Sequence, residues 1–267
     1  MSLAGGLGAR WAFTENRIRS VYVYRTDILI WLIAPAMQLV LMAALWRAIY
    51  NGRSTLDGVS LSVMTTYVSL AAIQNLINWD DTIDWLTARV RDGKIGADMA
   101  RPVGIVTQQV CGQVAQLIVK TPMIVLMLPV IFLFSDLSAP AEGALGWYLL
   151  STLVGWLLNC CIGLLVASVV FWTLEMGGME FLYSVLSGFL SGVLVPLWVM
   201  PDWLRTILEW LPWQAVVYTP LAIYVGRFEG TRVWQAIGVQ FLWLAVIGGL
   251  TWLVWRRAVN RVVVQGG

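Results

Sequence analysis

The chain of 267 residues contains no histidine. That removes the commonest metal ligand and the commonest general base. Cysteine is almost as scarce. Cys111, Cys160 and Cys161 are the only three, and all lie in apolar runs. No two have metal-site spacing, and adjacent Cys160 and Cys161 are badly placed to bridge each other. They read as small apolar fillers. Charge is the third shortage. Asp, Glu, Lys and Arg make up 12% of the chain, roughly half the share of a soluble domain. The net charge of +2 offers little to a nucleic acid. A nucleotide site is missing as well. "RDGKIG" holds a Gly-Lys pair without the G-x-x-x-x-G-K-[ST] spacing that cradles phosphates. The small residues of "VLSGFLSG", Val185–Gly192, lie in an apolar run and suit helix packing. The opening "MSLAGGLGARWAFTENRIRSVYVYRTD" mixes charge with aromatics and lacks the apolar core of a cleavable signal peptide.

What is present is oily. Hydrophobic residues make up 59% of the chain, and 16 tryptophans suit membrane interfaces. Mean hydropathy is +0.77. These values describe an all-α polytopic membrane protein. Roughly 20 apolar residues in a helix cross the hydrocarbon core, and irregular backbone there is costly. Six runs qualify: Ile28–Tyr50, Val59–Ile77, Val106–Phe134, Leu145–Trp172, Phe181–Val199 and Val233–Trp255. With the N-terminus inside, Arg10, Arg17, Arg19, Arg25, Arg89, Arg91, Lys94, Arg101, Arg256, Arg257 and Arg261 fall on the inner side. Arg47, Arg53, Arg205, Arg227 and Arg232 fall outside. The positive-inside rule then places both termini in the cytoplasm.

Three segments between the spans carry a pattern. Before the first span, Leu7, Trp11, Ile18 and Tyr22 recur at helical spacing opposite Arg10, Thr14 and Arg17, which suits a helix lying in the headgroup layer. Between spans five and six, four prolines punctuate a long outer piece. Within it, Asp202, Arg205 and Glu209 share one face of a short amphipathic helix, and a second short apolar helix follows. Between spans two and three lies "VRDGKIGADMARPVG", Val90–Gly104, charged and glycine-broken. "RDG" ends one helix, "KIGADMA" offers about two turns, and "RP" closes it. Ile95 and Met99 share a face there, and Lys94, Asp98 and Arg101 share another. A short helix pinned between two spans acts as a lever, and a structured cytoplasmic piece of this kind implies a docking partner.

Polar groups inside the spans are few. Gln74, Asn75, Asn78, Asp80, Asp81 and Asp84 make the inner third of span two polar, which suits a vestibule or a subunit interface. Lys120 lies near mid-span, lining a polar path or pairing with a carboxylate, and Glu180 begins span five near its cytoplasmic end. Without histidine or a second cluster, the aspartates do not make a catalytic site.

"VRDGKIGADMARPVG" resembles the cytoplasmic loop of ABC-2 type permeases. "FLSGVLVPLWVMPDWLRTILEWLPWQAVVYTPLAIYVG" resembles the same family's proline-marked outer segment. The order, spacing and sidedness of the two landmarks fit together, and the resemblance covers nearly the whole chain. "YRTDILIW" and the Arg-Pro ending are similar to a bacterial branch whose permeases often come as two different subunits with one ATPase type. The resemblance implies the transmembrane subunit of an ATP-driven exporter in the bacterial cell membrane. It divides the chain into an interfacial helix (1–27), spans one and two (28–83), a coupling loop (84–104) and spans three to five (105–199). A re-entrant or interfacial outer segment (200–232) and span six with a cytoplasmic tail (233–267) follow. It further implies that Arg91, Asp92, Gly93, Lys94, Ile95, Asp98, Met99, Arg101 and Pro102 contact an ABC ATPase, with Glu175 as a second, smaller contact. Gln74, Asn75, Asn78, Lys120 and Glu180 then line the translocation path or the interface with a second permease subunit, identical or different. ATP and Mg would sit in the ATPase, leaving this chain without a cofactor or catalytic role. The oily spans favour an amphiphilic or hydrophobic substrate. The alternative is a secondary transporter or channel without an ATPase, which calls for charges and broken helices at mid-membrane.

Overall fold

The computed structural model describes residues 3–22, 25–56, 58–101, 103–173 and 176–265. Helix α1 (Leu3–Tyr22) precedes α2 (Arg25–Tyr50), which carries Pro35 in its interior. A two-residue antiparallel hairpin, β1 (Thr55–Leu56) and β2 (Val59–Ser60), turns the chain at Gly58, whose φ of 74° suits glycine. Ser60 then caps α3 (Leu61–Asn78), accepting the Val63 N–H at 3.2 Å. After α4 (Thr82–Arg91) and α5 (Ile95–Met99) come two long helices, α6 (Ile105–Phe134) and α7 (Ala144–Ala167), the latter extended by α8 (Val170–Thr173). Next are α9 (Gly177–Leu190), α10 (Asp202–Glu209), α11 (Tyr218–Tyr224) and α12 (Thr231–Gln265), with 3-10 turns at Leu197–Val199 and Pro212–Ala215.

Four stretches are long and apolar enough to cross a membrane: Leu32–Tyr50, Ile105–Phe134, Ala144–Thr173 and Thr231–Ala258. Span two keeps about its expected length as α3, with 18 residues, but its C-terminal end is polar, and span five comes out shorter than expected. Helix α9 has 14 residues and stops at Leu190, well before Val199. Its end has a local cause. Gly192 takes a φ of 80°, and a Cβ there would meet the Leu197 side chain at 2.7 Å. Tyr67 Oη donates to the Gly192 carbonyl at 2.8 Å, and the Tyr218 N–H donates to the Ser191 carbonyl at 3.1 Å. The apolar piece after Gly192 therefore folds back as a turn, with Trp198 set edge-on against Tyr67 at 4.7 Å.

The two short helices expected between the prolines are present as α10 and α11. Arg205 pairs with Asp202 at 2.8 Å and reaches Glu209 at 3.8 Å along one face of α10. Helix α11 is buried from Tyr218 to Ile223. It and the Pro212–Ala215 turn pack on α7, with Leu158, Ile162, Leu208, Ala215, Leu221 and Ala222 in one core.

Helix α7 is the centre of the bundle, packed on α12, α11 and α4. Apolar contact gives little preference between helix and lipid, so polar bonds and small residues fix the pairing. Gln240 of α12 is fully buried and donates to the Ser151 and Ala215 carbonyls at 3.1 and 2.6 Å, while Ser151 Oγ donates back to its Oε1 at 2.9 Å. Thr251 Oγ1 donates to the Cys161 carbonyl at 3.0 Å. Gly155 lets the Val216 backbone approach, since a Cβ there would lie 2.8 Å from the Val216 oxygen. The obstacle is backbone, so it cannot swing away. Gly155→Ala should cost about 1–3 kcal/mol, seen as a lower midpoint of thermal unfolding in detergent. An unchanged midpoint would show that this packing is looser than described.

Candidate functional site

Helix α3 does not run on into the charged loop as one rod. It breaks at Trp79, whose backbone is extended, and restarts at Thr82. The sequence reading carried one helix from span two to "DWLTARV" and missed this corner. Asp80 builds it. Its Oδ1 accepts the Thr82 N–H at 2.8 Å and also the Thr82 hydroxyl and the Gln113 amide. The Gln109 amide donates to Thr82 Oγ1. Asp81 takes Gln116 at 3.0 Å and Arg17 of α1 at 2.8 Å. Lys120 Nζ donates to the Trp79 carbonyl. The spacing of Gln109, Gln113, Gln116 and Lys120 marks one polar stripe of α6, a periodic signal that sequence reading could have found.

From that corner α4 leads to the charged loop. At its end the Asp92, Gly93 and Lys94 N–H groups donate to the Ala88, Val90 and Arg89 carbonyls at 2.9, 3.1 and 3.0 Å. Gly93 has a φ of 67°, which only glycine adopts without strain. The loop then makes the five-residue α5, shorter than the two turns expected.

The predicted contact residues divide into two sets. Arg91, Asp92, Gly93, Lys94 and Arg101 are exposed. Lys94 hydrogen-bonds Asp92 at 2.8 Å, and that bond and charge hold the Asp92 carboxyl below its ordinary range. Ile95, Met99 and Asp98 turn inward. Ile95 is buried among Ile83, Leu86, Ile105, Phe171 and Met176, with Met99 packed beside them. Asp98 is 1% exposed and lies between Arg89 at 3.3 Å and Arg101 at 3.2 Å. Arg101 thus reaches Asp98, as a shared face allows, while Lys94 turns to Asp92 instead. The carboxylate faces inward because both guanidinia approach it from the rim of the loop. Gln108 of α6 adds bonds to the Asp98 and Val103 carbonyls at 3.0 and 2.7 Å. The Arg101 guanidinium lies 5.9 Å from the Phe13 ring of α1. What faces outward instead includes Gly96, Ala97 and Ala100, a small flat surface absent from the sequence reading. Pro102 and Glu175 lie outside the described residues.

The second group of predicted residues is also split. A cavity of about 370 Å³ opens between α3, α7 and α9, lined by Asn75, Asn78, Asp80, Asp84, Asn159 and Glu180 among others. Asp84 and Glu180 face the same cavity. Gln74 is buried and donates to Thr152 Oγ1 at 2.8 Å. Lys120 lines a separate cavity of about 190 Å³ with Asp81, Asp84 and Gln116. Asn75, Asn78 and Glu180 thus line one cavity, while Gln74 and Lys120 hold helices together beside it.

The model of the family described as ABC-2 family transporter protein matches residues 32–266, and the chain belongs to that family. It is an ABC-2 type permease, a multi-pass membrane protein of the membrane component of an ABC transporter. No curated protein matches the sequence.

The Asp98 clamp yields a direct expectation. Asp98→Asn leaves Arg89 and Arg101 facing each other without their counter-charge, a loss of about 2 kcal/mol of local stability. Limited trypsin digestion should then cut after Lys94 at least tenfold faster than in the parent protein. Equal cutting rates would mean that the clamp does not hold α5.

Proposed function

We propose that this chain is the permease subunit of an ATP-driven exporter, working as a homo- or heterodimer with two ATPase chains. The observation that carries this reading is the loop from Asp92 to Arg101. Its inner face is locked to α4 and α6 by the Asp98 pairs and by Gln108, and its outer face presents charged rims around small residues. A partner seated on that face would move α4 and α6 together rather than bend a loop. Closure of an ATPase dimer on ATP would then reach the corner at Asp80 and the helices on either side. Such a device biases two states by making different contacts in each.

Other features support the finer parts. Helix α9 has no buried residue, although Phe181, Leu182, Val185, Leu186 and Phe189 lie along it. A second permease copy against α9 and the polar vestibule would enclose a shared route. In this reading α3 and α9 complete six crossings, both termini lie in the cytoplasm of a bacterial cell, and α1 rests in the inner headgroup layer. The apolar surroundings favour an amphiphilic or hydrophobic substrate.

Co-expression with the genes that flank its own, followed by purification and measurement of ATP hydrolysis, tests the reading. An ABC ATPase should co-purify. Gly93→Pro, which cannot hold the φ of 67°, should reduce coupled transport by more than tenfold while the permease still reaches the membrane. Failure of any ATPase to associate, or full transport by Gly93→Pro, would sink the coupling role.

A further inference from the structure

On the side opposite the charged loop, α10, α11 and the start of α12 surround a cavity of about 570 Å³. That volume falls within the roughly 300–1,000 Å³ range of small-ligand pockets. Its charge is one-sided. Arg205, Arg227 and Arg232 line it against a single carboxylate, Glu209. Arg205 is occupied by Asp202 and Glu209. Among the described residues, neither Arg227 nor Arg232 forms an ion pair with a carboxylate of the chain.

The arginines are placed, not merely present. The turn before Arg227 passes through Gly226 at a φ of 73°, and the Arg227 and Phe228 N–H groups both donate to the Ala222 carbonyl, at 2.8 and 3.2 Å. The Arg227 guanidinium then sits 5.2 Å from the Trp198 ring. Trp198, Tyr218 and Phe228 form a run of touching rings, with centroids 5.8 and 5.9 Å apart. A guanidinium laid on an aromatic face keeps its N–H edge free for an acceptor. Two uncommitted guanidinia on one hollow specify an anion rich in acceptor oxygens. Planar guanidinium forks onto phosphate and carboxylate alike, and phosphate offers more acceptor oxygens to two of them.

The surroundings indicate where the phosphate comes from. Trp203 and Ile207 on α10, Trp210 at its end and Trp234 on α12 are 67%, 54%, 77% and 64% exposed. Exposed tryptophans at a helix edge belong at headgroup depth, where aromatic belts lie. We propose that this basin seats the phosphate of a lipid headgroup in the outer leaflet, held by Arg227 and Arg232. The assignment rests on the membrane placement given above, but not on an ATPase partner.

Native mass spectrometry of the full chain in non-ionic detergent tests it, with phosphatidylglycerol, phosphatidylcholine or inorganic phosphate added in turn. The parent protein should retain phosphatidylglycerol. Arg227→Gln with Arg232→Gln should retain it at least about tenfold less, the factor that one lost charge-assisted bond represents. Arg47→Gln with Arg53→Gln removes the same charge elsewhere and should change nothing. Arg227→Lys with Arg232→Lys keeps the charge but not the fork, and should fall in between. It also serves where the glutamine pair fails to fold. Equal retention by all variants, equal loss in both glutamine pairs, or binding of free phosphate in place of the lipid would each overturn the proposal. ATPase co-purification is read separately, so its failure with lipid retention intact would count against the exporter reading alone.

Discussion

One oxygen of Asp80 joins three helices. It ends the break after α3 by taking the Thr82 N–H, and it takes the Gln113 amide of α6. Its other oxygen lies against Gly163 of α7, where a Cβ would collide with it. A carboxylate at this depth is costly unless it is bonded, and here the bonds come from the helices it must join. The neighbours extend the same logic. Asp81 brings α1 onto α6 through Arg17 and Gln116, and Lys120 closes the Trp79 carbonyl that the helix break leaves open. The polar residues in the inner third of the bundle thus set the angle at which the chain leaves it.

The charged loop inherits that angle. Helix α4 is fixed at one end by the Asp80 corner and at the other by the Asp98 pairs, with Ile83, Leu86 and Ile95 packed between. The loop therefore has little freedom of its own. Its charged residues do two jobs that composition alone does not separate. Arg89 and Asp98 bind the loop to itself, while Arg91, Asp92 and Lys94 remain at the surface. At the far end of the molecule the arginines divide in the same way, with Arg205 paired within α10 and Arg227 and Arg232 left toward the basin.

Much of the helical plan could be read from hydropathy. The long runs became α2, α6, α7 and α12, and proline spacing gave α10 and α11. The shortfalls have particular causes. Val193–Val199 is as apolar as a span, but Gly192 and Pro196 turn it back onto Tyr67. Trp79–Asp81 breaks a helix because side-chain bonds from α6 compensate the exposed backbone, and such long-range bonds leave no mark in a local window. Ile95 and Met99 were correctly placed on one face, but spacing does not say whether a face turns inward or outward. Asp98 was placed with Lys94 and Arg101 by the same spacing, and only the approach of Arg89 from α4 fixes its direction. The glutamine stripe of α6 was legible and was passed over, because uncharged amides barely lower the hydropathy of a 30-residue helix.

The central claim is that the small outward face of α5 meets an ATPase. Ala97→Cys places a thiol on that face. Cross-linking in native membranes with a short bifunctional thiol reagent, in cells that also express an ABC ATPase found to co-purify with the permease, reads the contact directly. The account predicts a cross-linked species of permease plus ATPase from Ala97→Cys and none from a cysteine at Arg53, on the opposite side. Cross-linking from Arg53, or none from Ala97 while the ATPase co-purifies, would contradict it.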